Sequence, residues 1–198
     1  MNTSIPKTAP SVNPSELETS SDGRHPDDIT ILKSYNGYRQ TKLIHADGSK
    51  EGAVADTHFH HHYERAETLP AIEVVLRQLA LGQTCFIIRG RAKDSAGDRH
   101  RRKWTGEDAT LEDVPRKSLM VDIDKPVCGV PDDWQDHPAE LVTEIISKAL
   151  PDEFHVAGVV WQWSSSMGAE PGVVKVHLWF RLNKAIDSKM AKQWLRPW

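Results

Sequence analysis

Met120-Val121-Asp122-Ile123-Asp124 sets two carboxylates two residues apart inside an apolar run. In a β-strand, residues i and i+2 project from one face roughly 7 Å apart at the backbone, so Asp122 and Asp124 can address a single metal ion. Leu119, Val121 and Ile123 then point together into a core. Two ionised carboxylates side by side repel one another, and a divalent cation relieves that repulsion. Hard oxygen ligands select Mg2+ or Mn2+. The chemistry this spacing suggests is metal-assisted transfer or hydrolysis of phosphate groups. Two solvated acids at an exposed strand end, beside the turn at Lys125-Pro126, would carry the same spelling.

A second group of candidates follows in Ser164-Ser165-Ser166 and Lys175-Val176-His177-Leu178-Trp179-Phe180. Strand alternation puts Val174, Val176, Leu178, Phe180 and Leu182 on a core face and leaves Lys175, His177, Trp179 and Arg181 on the other. Three of those four can be cationic. Such a face, next to turn hydroxyls, suits a triphosphate held by charge and hydrogen bonds; it also describes the wet side of an ordinary hairpin.

The elements that must position these groups are legible in part. Leu69, Ile72, Val75, Leu76 and Leu79 recur at helical spacing, with Thr68 as a cap, Pro70 in the first turn and Gly82 as the stop. Cys85 to Ile88 and Ser118 to Asp124 predict buried strands, and His137 to Leu150 a helix ended by Pro151. Val156 to Ser164 and Val173 to Leu182 predict the two strands of a hairpin, and Asp187 can cap a short helix over Ser188 to Leu195. Residues 1–28, rich in Ser, Pro, Thr, Asn and Glu, read as a disordered tail. Residues 29–67 read as an irregular lead-in with room for a small hairpin around Asp47-Gly48-Ser49. Together they predict an α+β fold: a mixed, largely antiparallel sheet with packed helices, occupying residues 68–198.

The chain has 198 residues, 38% apolar and 27% charged, which suits one globular domain. Its formal net charge of −3 gives no global sign of a nucleic-acid binder, so any such contact must be local. Cys85 and Cys128 are too few for a disulfide framework and lack zinc-site spacing. No secretory signal or membrane span is visible, and a cytoplasmic location without membrane partners is expected.

The ordered combination resembles a known family. An acidic pair in an apolar strand (Leu119 to Asp124), a helix, a serine-rich turn and His177-Leu178-Trp179-Phe180 is similar to the archaeo-eukaryotic primase superfamily. The likeness is greatest to primase-helicase proteins of plasmids, phages and integrative elements. The resemblance covers roughly Thr68 to Trp198. It implies an RRM-like catalytic core and template-directed nucleotidyl transfer from an NTP or dNTP during replication of a mobile element. Asp122 and Asp124 would bind the catalytic Mg2+ or Mn2+, with His177 as the third catalytic residue. Ser164, Ser165, Ser166, Lys175, His177 and Arg89 would hold the nucleotide. The implied partners are a single-stranded DNA template and a fused or associated replicative helicase. Two departures stand out: an insert containing Gly168, Pro171 and Gly172 separates Ser166 from His177, and no third acid in an apolar strand follows before Trp198. The third acid is expected beyond Trp198, so that residues 68–198 would be a partial domain able to bind nucleotide and poor at catalysis. A catalytically inactive, primase-like nucleic-acid-binding module is a further alternative.

Two clusters remain. Arg89, Arg91, Lys93, Arg99, Arg101, Arg102 and Lys103 crowd one stretch and could hold template phosphates or the triphosphate, or form a solvated loop. His58-Phe59-His60-His61-His62-Tyr63 spells the His-apolar-His of rolling-circle and relaxase nucleases, with His58 and His60 on a metal and Tyr63 as nucleophile. Polar neighbours Asp56, Thr57 and Glu64 favour instead an unstructured segment.

Overall fold

A computed structural model describes residues 22–40, 42–45, 49–52, 56–168 and 170–195. The strand order begins β1 (Asp28–Ser34), β2 (Leu43–Ile44), β3 (Lys50–Glu51) and β4 (Phe59–Arg65). Helix α1 (Leu69–Leu81) leads to β5 (Cys85–Ile88), β6 (Arg91–Ala92), β7 (Leu111–Glu112) and the long β8 (Arg116–Lys125). Helix α2 (Pro138–Ala149), β9 (Val160–Trp163), β10 (Val174–Ile186) and α3 (Ser188–Leu195) complete the chain. The fold is α+β, and every strand pairing among the described residues is antiparallel. Instead of one sheet there are two of three strands, β4-β1-β5 and β8-β10-β9, and two small ribbons, β2-β3 and β6-β7. No described helix is long and apolar enough to cross a membrane.

The β8-β10-β9 sheet buries one face as the alternation requires. Leu119, Val121 and Ile123 of β8 and Val174, Val176, Leu178 and Phe180 of β10 pack on Leu141, Val142, Ile145 and Ile146 of α2. Phe154 closes this core, its ring edge-on to Phe180 at 4.7 Å between centroids. Strand β9 is shorter than the apolar run at Val156 suggests, because Val156 is exposed and the ladder begins only at Val160.

The opposite face of that sheet is not an outer surface. Trp179, 7% exposed, packs among Ile29 and Ile31 of β1 and Ile72, Val75 and Leu76 of α1. The predicted α1 holds in detail: the Thr68 hydroxyl accepts the Ala71 amide at 3.2 Å, Pro70 sits in the first turn and Gly82 ends the helix. Thr68→Ala should therefore cost about 1 kcal/mol of stability, measurable as a lower urea midpoint at unchanged slope.

The segment read as an irregular lead-in departs most from expectation. Strand β1 is the centre of its sheet, paired on one side with β4 and on the other with β5. It is buried on both faces, so its Ile29-Thr30-Ile31-Leu32 run lacks the alternation of a half-wet strand. A small hairpin does form, with Leu43 opposite Glu51, while 46–48 at its turn lie outside the described residues. The tail boundary also shifts. Asp27 and Asp28 are buried, Asp28 bonded to Arg65 Nε at 2.9 Å and Asp27 paired with Arg181 Nη2 at 2.7 Å. The rest of the predicted tail, 1–21, lies outside the described residues.

Candidate functional site

Register places the acidic strand directly against the histidine strand. On β8 and β10, Asp122 lies opposite His177, Asp124 opposite Lys175 and Met120 opposite Trp179. Strand β9 extends two of these rows, since Gln162 pairs with His177 and Val160 with Trp179. His177 therefore sits in the middle strand between Asp122 and Gln162, on the face turned toward the N-terminal sheet. Its Nε2 is 3.5 Å from Asp122 Oδ1, and the two carboxylates are well exposed, 58% for Asp122 and 64% for Asp124.

Lys175 is buried and bridges Asp124 at 3.3 Å and Glu170 at 3.4 Å. Burial disfavours its ammonium, but the two carboxylates outweigh that, leaving its pKa above the ordinary lysine value. The Ser164 amide donates to the Lys175 carbonyl, which puts the serine turn at the Asp124 end of the sheet. Ser164 and Ser166 hydroxyls are 3.3 Å apart, whereas Ser165 is exposed. The predicted residues thus fall into one patch, with Asp122, Asp124, Lys175 and His177 in contact across two strands and the serines at its margin.

A cavity of about 700 Å³ opens beside this patch, between the two sheets and the end of α1. His177, Gln162, Met120 and Trp179 form its floor, and Leu76, Leu79, Phe86 and Ile87 are among its walls. Ligand sites of small molecules run from about 300 to 1,000 Å³, mostly apolar with a few polar groups at defined points, and this cavity has that character. No short motif marks it, because it forms only when β1, β5 and α1 roof the β10 face; the signal available was the β-branched run at Ile29.

Arg89 also lines the cavity, but its Nη1 and Nη2 donate to the Ser118 and Ile186 carbonyls, both at 2.6 Å. It braces β5 to β8 and β10, and contact with a phosphate would require exchanging those bonds. Burial lowers its pKa from the ordinary arginine value. Arg181, expected on the polar face, is held by Asp27 and by the Glu67 carbonyl.

The histidine-rich segment is a strand, contrary to the unstructured reading. Phe59 and Tyr63 of β4 are buried on one face with His61 between them. The Tyr63 hydroxyl accepts the Ala92 amide at 3.2 Å, and burial raises its pKa. His58 Nδ1 meets the Thr57 hydroxyl and His60 Nδ1 the Asp98 carbonyl, so these two rings are separately engaged. Nothing in this arrangement favours a tyrosine nucleophile beside a His58–His60 metal. His61 Nδ1 instead meets His100 Nε2 at 3.0 Å, while His100 Nδ1 donates to the Arg101 carbonyl. A neutral His100 must then accept at Nε2, and His61 donates.

Burial lowers the pKa of both His61 and His62; His100 adds to the effect at His61, while Asp98 opposes it, and at His62 Glu64 opposes it and Lys33 adds to it. The unfolded chain therefore binds protons more readily at these sites. Stability should be full above the ordinary histidine value of 6.5 and fall as the pH drops below it. Urea midpoints at pH 7.5 and 5.5 should show that drop, and His61→Gln with His62→Gln should flatten it.

Two exposed carboxylates on one strand face can supply Mg2+ or Mn2+ with hard oxygen ligands, and Mg2+ is commonly held by one or two carboxylates plus phosphate oxygens and water. Asp122 and Asp124 fit that partial ligand set. Among the described residues no group of three or more His, Cys, Asp or Glu is arranged to hold a metal ion. Compared with known proteins, the chain matches no family model, no curated protein and no solved structure.

Proposed function

We propose that the face shared by β8, β10 and β9 is a nucleotidyl-transfer centre of the archaeo-eukaryotic primase kind, built on an RRM-like sheet. The observation that carries this reading is the row Asp122, His177, Gln162 across three strands, of which His177 and Gln162 line a nucleotide-sized cavity. Its support is convergence: acids and histidine are distant in sequence and drawn from separate strands, yet they share one face.

In this reading a strand end offers a 3' hydroxyl to the α-phosphorus of an incoming NTP or dNTP, and pyrophosphate departs. Asp122 and Asp124 would hold Mg2+ or Mn2+, which when bound supplies Lewis-acid stabilisation of phosphate oxygens. The His177 ring and the Lys175 ammonium hold the phosphates by hydrogen bonds, and the ammonium offsets the negative charge that develops on them. Their present partners are Asp122 and Asp124. A metal-nucleotide complex carries both signs of charge and can replace each partner without leaving either buried lysine or carboxylates unpaired. Gln162 and the Ser164 and Ser166 hydroxyls add neutral hydrogen bonds at the two ends of the patch.

Calorimetric titration with a nucleoside triphosphate should show binding that needs Mg2+ or Mn2+. His177→Ala should weaken it about tenfold, the loss of roughly 1.4 kcal/mol expected for one charge-assisted hydrogen bond. Binding indifferent to metal and to His177 would remove the phosphate-holding role. Retained nucleotide binding in a chain that incorporates nothing would identify an inactive binding module.

A further inference from the structure

We infer that the free edge of strand β9 is an interface between two copies of this chain, pairing antiparallel with the partner's β9 so that their β8-β10-β9 sheets become one continuous sheet. The other edge of that sheet, β8, is guarded. Its Lys117 amide already donates to the Pro26 carbonyl, and Asp122, Asp124 and Lys125 follow along the strand. Charges and occupied backbone groups are what keep sheet edges from pairing with one another. Strand β9, Val160-Trp161-Gln162-Trp163, has neither charge nor proline. Trp161 is 37% exposed and lies outside the apolar clusters of the described residues, and Gln162 is exposed beside it.

The ladder fixes which backbone groups this edge offers. The Ser164 amide donates to the Lys175 carbonyl, and two residues earlier Gln162 stands opposite His177. Residues two apart in an antiparallel strand turn their N–H and C=O groups the same way. Ser164, Gln162 and Val160 therefore address β10, and Trp161 and Trp163 address the open side. Among the described residues, no backbone bond beyond the ladder engages Trp161 or Trp163.

The segment is its own complement. Trp161-Gln162-Trp163 reads the same from either end. A twofold axis at Gln162 brings Trp161 opposite the partner's Trp163, so both outward residues of each copy find a donor and an acceptor. A slip of two residues in either direction would set one of them against irregular chain before Val160 or against the serine turn. Side chains favour the same register. Trp161 meets the partner's Trp163 on the α2 face as an aromatic cross-strand pair, and on the cavity face the two Gln162 amides each present a donor and an acceptor. An unrelated peptide would have to match both faces, whereas a second copy does so by symmetry. The acids do not oppose it: with strands about 4.8 Å apart, Asp122 and the partner's Asp122 are separated by roughly 24 Å, beyond the screening length of about 8 Å. The guarded β8 edges bound the joined sheet on both sides and close the assembly at two copies. A place for the partner's Gln162 beside the nucleotide rests on the nucleotidyl-transfer reading; the pairing itself does not.

Sedimentation velocity of the full chain over a concentration series tests this. So short an edge gives a small interface, and the wild type should pass from monomer to dimer with a dissociation constant on the order of 10 µM. Gln162→Glu alone and Gln162→Lys alone each set like charges face to face at the axis and should weaken the dimer at least about tenfold. Mixed in equal amounts, the two variants should associate again within a few-fold of the wild type, because this register makes residue 162 its own partner. Trp161→Pro removes an outward amide and no bond to β10, and should also weaken the dimer at least about tenfold. If that variant lowers the monomer's urea midpoint, the mixing result alone decides. A wild type still monomeric at about twentyfold above the expected constant, or charge variants that dimerise as tightly as the wild type, would overturn the interface. Growth past the dimer into a series of larger species would overturn the closed twofold pairing.

Discussion

In a chain that shows templated nucleotide incorporation, Asp122→Asn is expected to lower it by on the order of 10³, equivalent to about 4 kcal/mol of transition-state stabilisation, while leaving the fold intact. The two effects separate because of where the residue sits. Its side chain is more than half exposed and its one close ion partner, His177, lies 3.5 Å away at the edge of the cavity. Exposed pairs of this kind contribute about 0–1 kcal/mol, so denaturation should move little. The amide keeps the shape and loses the charge. Primer extension with Mg2+ or Mn2+, followed beside urea unfolding of the same variant, reads both quantities. Incorporation within a few-fold of wild type would reduce the β8–β10 rows to ordinary cross-strand ion pairs, worth a few tenths of a kcal/mol each and without chemistry.

The companion change at Asp124 discriminates further. Lys175 has two carboxylate partners, so Asp124→Asn leaves it paired with Glu170. The buried ammonium is therefore not stranded, and a loss of activity in that variant reports on the carboxylate itself. Where both substitutions suppress incorporation and neither shifts the urea midpoint, the acids act as a pair.

What could be read in the chain depended on whether a residue's partner was local. Helix α1 was legible because its apolar stripe, its Thr68 cap and its Gly82 stop are all within one segment. The alternation of β8 and β10 was legible for the same reason, and it correctly put Asp122 and Asp124 opposite the core face. Register was not. That Asp122 faces His177 and not Lys175 depends on how two strands 50 residues apart are aligned, and the intervening helix and turn do not encode it in any short pattern. Strand β1 escaped because burial on both faces erases the period of two, and β4 because three consecutive histidines mask the Phe59, His61, Tyr63 alternation. With those two strands read as irregular, the polar face of β10 fitted a wet hairpin side as well as a phosphate site, and Trp179, which is buried against them, fitted core or hairpin surface equally.

Arg116 is the case in which sequence carried no signal at all, and its removal should have the largest effect on stability. Arg116-Lys117 before an apolar run reads as a solvated strand start, yet Arg116 is 2% exposed. Its Nη1 donates to the His25 carbonyl at 2.7 Å, and its Nη2 to the Gly23 and Gly90 carbonyls at 2.9 and 2.7 Å. One side chain from the first residue of β8 thereby ties the C-terminal sheet to the segment preceding β1 and to the turn after β5. Burial lowers its pKa, with Asp28 opposing that shift. The turn it grips is itself constrained: Gly90 has φ +120°, and a Cβ there would collide with the Glu112 carbonyl oxygen. Arg116→Met fills part of the volume but removes three guanidinium–carbonyl hydrogen bonds, although the Gly90 carbonyl keeps the Thr30 hydroxyl, and hydrogen bonds to a charged group contribute about 1.5–3 kcal/mol each. Allowing for relaxation and water entry, the loss should be about 4 kcal/mol, near 10 °C in melting temperature for a chain of this size. Arg116→Lys should recover only part, since one ammonium cannot span carbonyls on three segments as a planar fork does. A loss below about 1 kcal/mol for Arg116→Met would mean that the Trp179 packing, with the Arg89 and Arg181 contacts, holds the two sheets without it. That outcome is checked by combining it with Trp179→Ala: if Arg116 and Trp179 secure the same interface, the paired variant should lose less than the two separate losses taken together.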